Sequence, residues 1–198
     1  MKNTITVATI TLIFIFSNCS NGQTAKFTSG TSDSVSGNKR NSIVVFYSRT
    51  GNTKAVAKQI QQLTGSDIFQ VETDKPYPED YHKTTEVAKK ELNDNARPSI
   101  KGKIENFNQY DIVYFGFPIW WGTYPMAMAT FIDNYKLEGK TIIPFCTHGG
   151  GGVDNAFTDL EKATPKATHL NGLVLSGGQA YSSKNEVEQW LKEIKILK

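Results

Sequence analysis

The sequence predicts an α/β protein: an open parallel sheet with helices on both faces. Two observations carry this. Five short apolar runs alternate with five stretches of helical spacing. The run 112–116 is unbroken by polar residues, as suits a central parallel strand covered on both sides. A third observation marks a site: a hydroxyl-rich, glycine-containing turn joins the first run to the first helix.

The elements follow in order. Residues 43–47 (Ile-Val-Val-Phe-Tyr) have no helical period and read as a buried strand. Across 53–63, Val56, Ile60 and Leu63 recur at helical spacing. Residues 67–71 read as strand two. Residues 72–81 hold Pro76 and Pro78 and read as a loop. Helical propensity returns over 84–93 and ends before Arg97-Pro98, since a residue preceding proline is pushed out of the α region. Strand three is 112–116, followed by a loop over 117–123 and a helix over 124–135 carrying Met128, Phe131 and Ile132 on one face. Strand four is 141–146, with a glycine-rich loop over 147–152. A helix over 153–163 has Asp154 near its start, where a carboxylate suits the helix dipole. Residues 173–175 centre strand five. A last helix over 185–196 has Val187, Trp190, Leu191 and Ile194 as its stripe.

The N-terminus reads differently. Met1-Lys2-Asn3 is a positive head, and 5–16 is apolar except for threonines. That stretch is shorter than the roughly 20 residues a bilayer span needs. Residues 1–18 therefore read as an export signal. Phe16-Ser17-Asn18-Cys19 resembles a bacterial lipoprotein cleavage site, which would make Cys19 the acylated first residue. Asn18 stands where Gly or Ala is usual, and Phe16 where Leu is usual. The alternative is ordinary cleavage after Gly22. The first reading implies a membrane-anchored protein of the bacterial cell envelope, the second a soluble periplasmic or secreted one. Residues 19–41, dense in Ser, Thr, Gly, Lys and Asn, read as a tether, and 42–198 as the folded domain. The two cysteines, Cys19 and Cys146, fall in different segments and are not read as a disulfide.

Several classes are excluded. The net charge of +3 comes without a basic run interleaved with aromatics, so no nucleic-acid partner is implied. His82, His148 and His169 lack metal-ligand spacing. Cys146, at the end of a buried strand, reads as a core thiol. Asp154 and Asp159 read as cap and surface. No Gly-x-Ser-x-Gly elbow supports hydrolase chemistry.

The turn Ser48-Arg49-Thr50-Gly51-Asn52-Thr53 carries the chemistry. Free N–H groups at a helix N-terminus attract anions, and hydroxyls add donors without charge. Gly51 lets the backbone take φ > 0 and approach a bound group. It is neither the nucleotide-triphosphate loop, which needs Gly-Lys-Ser/Thr, nor the dinucleotide fingerprint. Strand, Ser-x-Thr-Gly-x-Thr and helix together resemble the phosphate loop of the flavodoxins.

That resemblance covers about residues 42–196 and implies a sheet of order 2-1-3-4-5, with FMN held at the switch point between strands one and three. It implies that Ser48, Arg49, Thr50, Gly51, Asn52 and Thr53 take the phosphate. The loop Pro118-Ile119-Trp120-Trp121-Gly122 would set one indole against the flavin ring, with either Trp120 or Trp121 in that role. Backbone near Gly122 would contact the flavin N5. Thr147, His148, Gly149 and Gly150 would line the ring's polar edge, with His148 free to cover the ring or lend a proton. Electron carriers of the family place a tyrosine in this last loop, and this loop has none, which leaves one ring face open to a substrate. They are also markedly acidic, unlike this chain. The implied function is electron transfer to an unidentified redox partner, or reduction of a quinone or other small acceptor. A non-redox module holding a different phosphate-bearing ligand is the alternative.

Overall fold

A computed structural model describes residues 41–198. The signal over 1–18, Cys19 and the tether up to residue 40 lie outside the described residues. The sheet is parallel throughout, with order β2-β1-β3-β4-β5 and a further strand, β6, also paired to β4. The strands are β1 (Ser42–Phe46), β2 (Asp67–Gln70), β3 (Ile112–Pro118), β4 (Thr141–His148), β5 (Thr168–His169) and β6 (Leu173–Ser176). The helices are α1 (Asn52–Thr64), α2 (Tyr81–Asn93), α3 (Met126–Asn134), α4 (Ala156–Ala163) and α5 (Lys184–Glu193).

Side chains alternate across a strand, so an unbroken apolar run fills two cores at once. On one face Ile43, Val45, Val113, Phe115, Phe117 and Ile142 meet Met128 and Phe131 of α3 and Leu160 of α4. On the other, Val44, Phe46, Tyr114, Ile143 and Phe145 meet Val56 and Ile60 of α1 and Val187, Trp190 and Leu191 of α5. Each such fully buried side chain contributes roughly 1.5–3 kcal/mol. Helices of 8 to 13 residues are marginal in water alone, so this packing holds them. Cys146 is buried in the first core, and burial pushes its thiol up to about 12, so it stays protonated at neutral pH.

Several boundaries differ from the sequence expectation, β3 and β4 each running two residues further, to Pro118 and His148, and α5 stopping at Glu193; three differences have a cause in the local contacts. The position expected for one fifth strand is split into β5 and β6. The carbonyl of Ile142 accepts from Leu170 and so faces that edge. Pro144, two residues on, faces the same way and has no N–H to give. The Pro144 ring also lies against Gly172, where an added Cβ would come within 2.8 Å of it. The outer strand therefore breaks opposite Pro144. Second, α2 begins at Tyr81 rather than Thr84. Asp80 caps it by accepting from the Lys83 N–H at 2.8 Å, a signal that the prolines before it obscured. Third, α4 begins at Ala156, so Asp154 is not its cap. Asp154 sits instead in the left-handed region with its carboxylate against Gly122. Asp159 lies in the first turn of α4, 3.8 Å from Lys162.

Gly116 lies in the middle of β3, and a Cβ there would fall 2.1 Å from Cζ of Phe145. Overpacking of this kind costs about 1–3 kcal/mol. Gly116→Ala should lower the free energy of urea unfolding by that amount; an unchanged midpoint would mean that Phe145 swings aside freely.

Candidate functional site

All strands end on one edge, and the loops there enclose a cavity of about 780 Å³. Its polar end is the turn after β1. Gly51 caps α1 in the left-handed conformation (φ 94°), and the Ala55 N–H returns to the Gly51 carbonyl at 2.9 Å. The N–H groups of Asn52, Thr53 and Lys54 therefore have no carbonyl within the helix to meet. Ser48, Arg49, Thr50, Asn52 and Thr53 all line the cavity. The Ser48 hydroxyl is buried without a hydrogen-bond partner. A buried hydroxyl left unpaired is costly, and a ligand oxygen at this turn would satisfy it. Thr53 Oγ1 lies 2.8 Å from Thr147 Oγ1 and ties the start of α1 to the end of β4. The Arg49 side chain is engaged by another segment: its Nη2 donates to the carbonyls of Pro78, at 3.1 Å, and Glu79.

The apolar end is the loop after β3. Trp120 and Thr123 exchange backbone hydrogen bonds at 2.9 and 3.1 Å. Trp121 (φ 52°) and Gly122 (φ 80°) between them are both left-handed, as a two-residue type I′ turn requires. The two indoles separate. Trp120 is half-buried, with Tyr47 and Tyr77 edge-on to it at 5.4 and 5.0 Å between centroids. Trp121 is 52% exposed on the rim; its Nε1–H donates to the Thr85 carbonyl at 2.9 Å, and Lys89 lies over its ring at 4.8 Å. Both line the cavity, together with Pro118 and Ile119. Gly122 does not: it faces Asp154, and its carbonyl accepts from the Asn155 N–H at 3.1 Å.

The third side is Thr147, His148, Gly149 and Gly150. The Ile119 N–H donates to the Thr147 carbonyl at 2.9 Å, fastening the loop after β3 to the end of β4. The Gly150 N–H donates to His148 Nδ1 at 3.0 Å, so the proton of the neutral ring sits on Nε2.

Two further walls escaped the sequence reading. Ser176 ends β6, and Gly177 and Gly178 follow it; the Gly177 N–H donates to the His148 carbonyl at 2.8 Å. Their Ser-Gly-Gly pattern at a strand's carboxyl end was a usable signal. Tyr81, Thr84, Thr85 and Ala88 come from α2, with Tyr81 67% exposed at the mouth. Nothing local marks them, since α2 reaches the site through the long 71–80 segment. Tyr81 places an aromatic ring at the site, which the third loop does not. Among the described residues no group of three or more His, Cys, Asp or Glu side chains gathers as a metal site.

Beneath Trp120, the Tyr77 hydroxyl donates to Glu91 Oε2 at 2.6 Å. Desolvation holds the Glu91 carboxyl above the usual carboxylate range, against the opposing pull of the Tyr77 hydrogen bond. Burial likewise pushes Tyr47 and Tyr77 upward, so both stay phenols.

A parallel doubly wound sheet with hydroxyls and helix amides at one end of its switch-point crevice, and aromatic side chains at the other, defines a protein built for a ligand with an anionic head and a flat body. The sequence profile of the flavodoxin family matches residues 41–194, and the chain belongs to that family. Among solved structures, a protein of Bacteroides eggerthii classed as a flavoprotein is 32% identical, over 80% of this chain and 99% of its own, with a TM-score of 0.70. A second, from Bacteroides uniformis, is 31% identical over 77% and 98%, also at 0.70. A Lactobacillus acidophilus flavoprotein solved in complex with FMN is 20% identical over 75% and 99%, at 0.60, and shares the fold. A comparison with curated protein sequences finds no match.

Because the raised Glu91 carboxyl favours its neutral form in the folded state, its contribution to stability is full below the ordinary value of 4.5 and is lost as pH rises through the raised one. Glu91→Gln keeps an acceptor for Tyr77 without a charge to desolvate. Thermal melts should show it equal to the parent near pH 4 and more stable near pH 7. An equal offset at both pH values would show that Glu91 carries no such penalty.

Proposed function

We propose that this chain binds FMN non-covalently and serves as a flavin redox protein whose ring is open to a small organic acceptor, a quinone being one such class. The observation that carries the reading is the buried, unpartnered Ser48 hydroxyl at the amide-rich start of α1, inside a cavity whose other end is aromatic. Membership of the flavodoxin family supports it, as does the FMN complex of the Lactobacillus relative.

In this reading Ser48, Thr50, Asn52 and Thr53 and the amides of the turn hold the phosphate, and Gly51 supplies the left-handed step that lets them converge. Trp120, packed in T-shaped contact with Tyr47 and Tyr77, is the preorganised face for the ring, and Trp121 forms the rim. Amides of the loop after β4 and His148 Nε2–H offer donors to the ring's polar edge. Bound FMN supplies one- or two-electron chemistry; the protein supplies orientation, exclusion of water and donor placement. A small acceptor is favoured over a docking protein because residues 41–198 carry 18 Lys and Arg against 18 Asp and Glu, with no acidic excess for a partner to read.

The test is flavin absorbance of the purified domain, followed by titration of Ser48→Ala with FMN. Removing the orphaned hydroxyl should leave the flavin-free domain as stable as the parent or up to about 1 kcal/mol more stable, while FMN binding weakens about tenfold. A colourless domain that ignores added FMN would overturn the reading.

The same proposal puts the protein in the bacterial cell envelope, held by a lipid on Cys19. Its support is the sequence of residues 1–19. Cys19→Ser should move the protein from the membrane fraction to the soluble one and abolish incorporation of labelled palmitate. A protein already soluble and unlabelled before substitution would point to ordinary cleavage.

A further inference from the structure

We propose that Arg49 is a positioning residue that latches α2 to the phosphate turn, and so sets the wall beside the flavin ring, rather than a ligand of the phosphate. The inference rests on the FMN reading, but its geometry stands apart from it. The Arg49 side chain leaves the turn and donates from one terminal nitrogen to two successive carbonyls, Pro78 and Glu79, about thirty positions along the chain. Those carbonyls immediately precede Asp80, the cap of α2. Arg49 therefore holds the segment that leads into α2.

α2 needs such a hold. Of its thirteen residues only Thr84 and Ala88 are buried, so apolar packing anchors it weakly. Both buried residues also line the cavity, with Tyr81 and Thr85 beside them. The Thr84 hydroxyl is spent on the carbonyls of Pro78 and Asp80, and that of Thr85 on His82. The two threonines thus offer shape rather than free donors, and the phenol of Tyr81 at the mouth is this wall's available donor. It is tied at three places: Arg49 at its start, the Trp121 indole to the Thr85 carbonyl, and Tyr77 to Glu91. The first tie comes from the phosphate turn and the second from the ring loop. One helix is thereby positioned by both ends of the binding site.

The two roles predict different losses. A phosphate ligand, when removed, weakens FMN and leaves riboflavin, which has no phosphate, unaffected. A latch on the ring-side wall weakens both alike. In the full chain, Arg49→Gln should weaken FMN and riboflavin by the same factor, about tenfold, measured by fluorescence titration. Amide hydrogen exchange of the flavin-free protein should quicken over residues 76–88 and stay unchanged in β1, β3 and β4. A loss confined to FMN, or unchanged exchange over 76–88, would overturn the proposal. Should Gln loosen the whole sheet, Arg49→Met, which keeps the packing of the stem, repeats both measurements under the same criteria. If the parent protein binds neither flavin, the FMN reading falls, while the exchange comparison still decides the latch.

Discussion

The organisation of this domain depends on a sharp reversal between β1 and α1. A buried parallel strand must leave the sheet and enter a helix within a few residues, and Gly51 in the left-handed region makes that possible. The outcome is a set of helix-start N–H groups aimed past the strand ends. Everything else at the site is fastened to this point: Thr53 to Thr147, Arg49 to the start of α2, and Asn52 beside Gly177. Parallel pairing then brings the carboxyl ends of the other strands to the same edge, and their loops have no other place to go.

Much of this was legible in the residues. The runs 43–47 and 112–116 announced strands covered on both faces, and the strand order follows from right-handed crossovers with the flavodoxin pattern. Ser48 to Thr53 declared their chemistry because that chemistry is local: a glycine, hydroxyls and a helix start in one hexapeptide. The two tryptophans were equally visible, yet their different fates were not. Trp120 is sorted from Trp121 by a tight turn whose left-handed residues include a tryptophan, an unusual choice that no propensity anticipates. Asp154 shows the same limit. Near a helix start it reads as a cap, but the chain turns left-handed there and sets its carboxylate against Gly122 of a neighbouring loop.

The α2 wall was illegible for a different reason. Its residues are ordinary for a solvated helix, and what brings them to the site is long-range: carbonyls of the 71–80 segment received by Arg49, and a carbonyl of the helix itself received by Trp121. Polar ties of this sort leave no periodicity in the chain. They also make the helix sensitive to events at either end of the cavity, whereas α1, α3 and α5 are fixed by the cores.

The interruption opposite Pro144 bears on how the domain behaves among its own copies. A sheet presents open ladders on its two outermost strands, and long open ladders recruit foreign chains into fibrils. Here one rim is the four-residue β2, and the other is broken into pieces of two and four residues. Neither offers the six or seven consecutive positions on which cross-β stacking is built. On that second rim a single proline keeps the open ladder short while leaving the crevice at the carboxyl ends of the strands untouched.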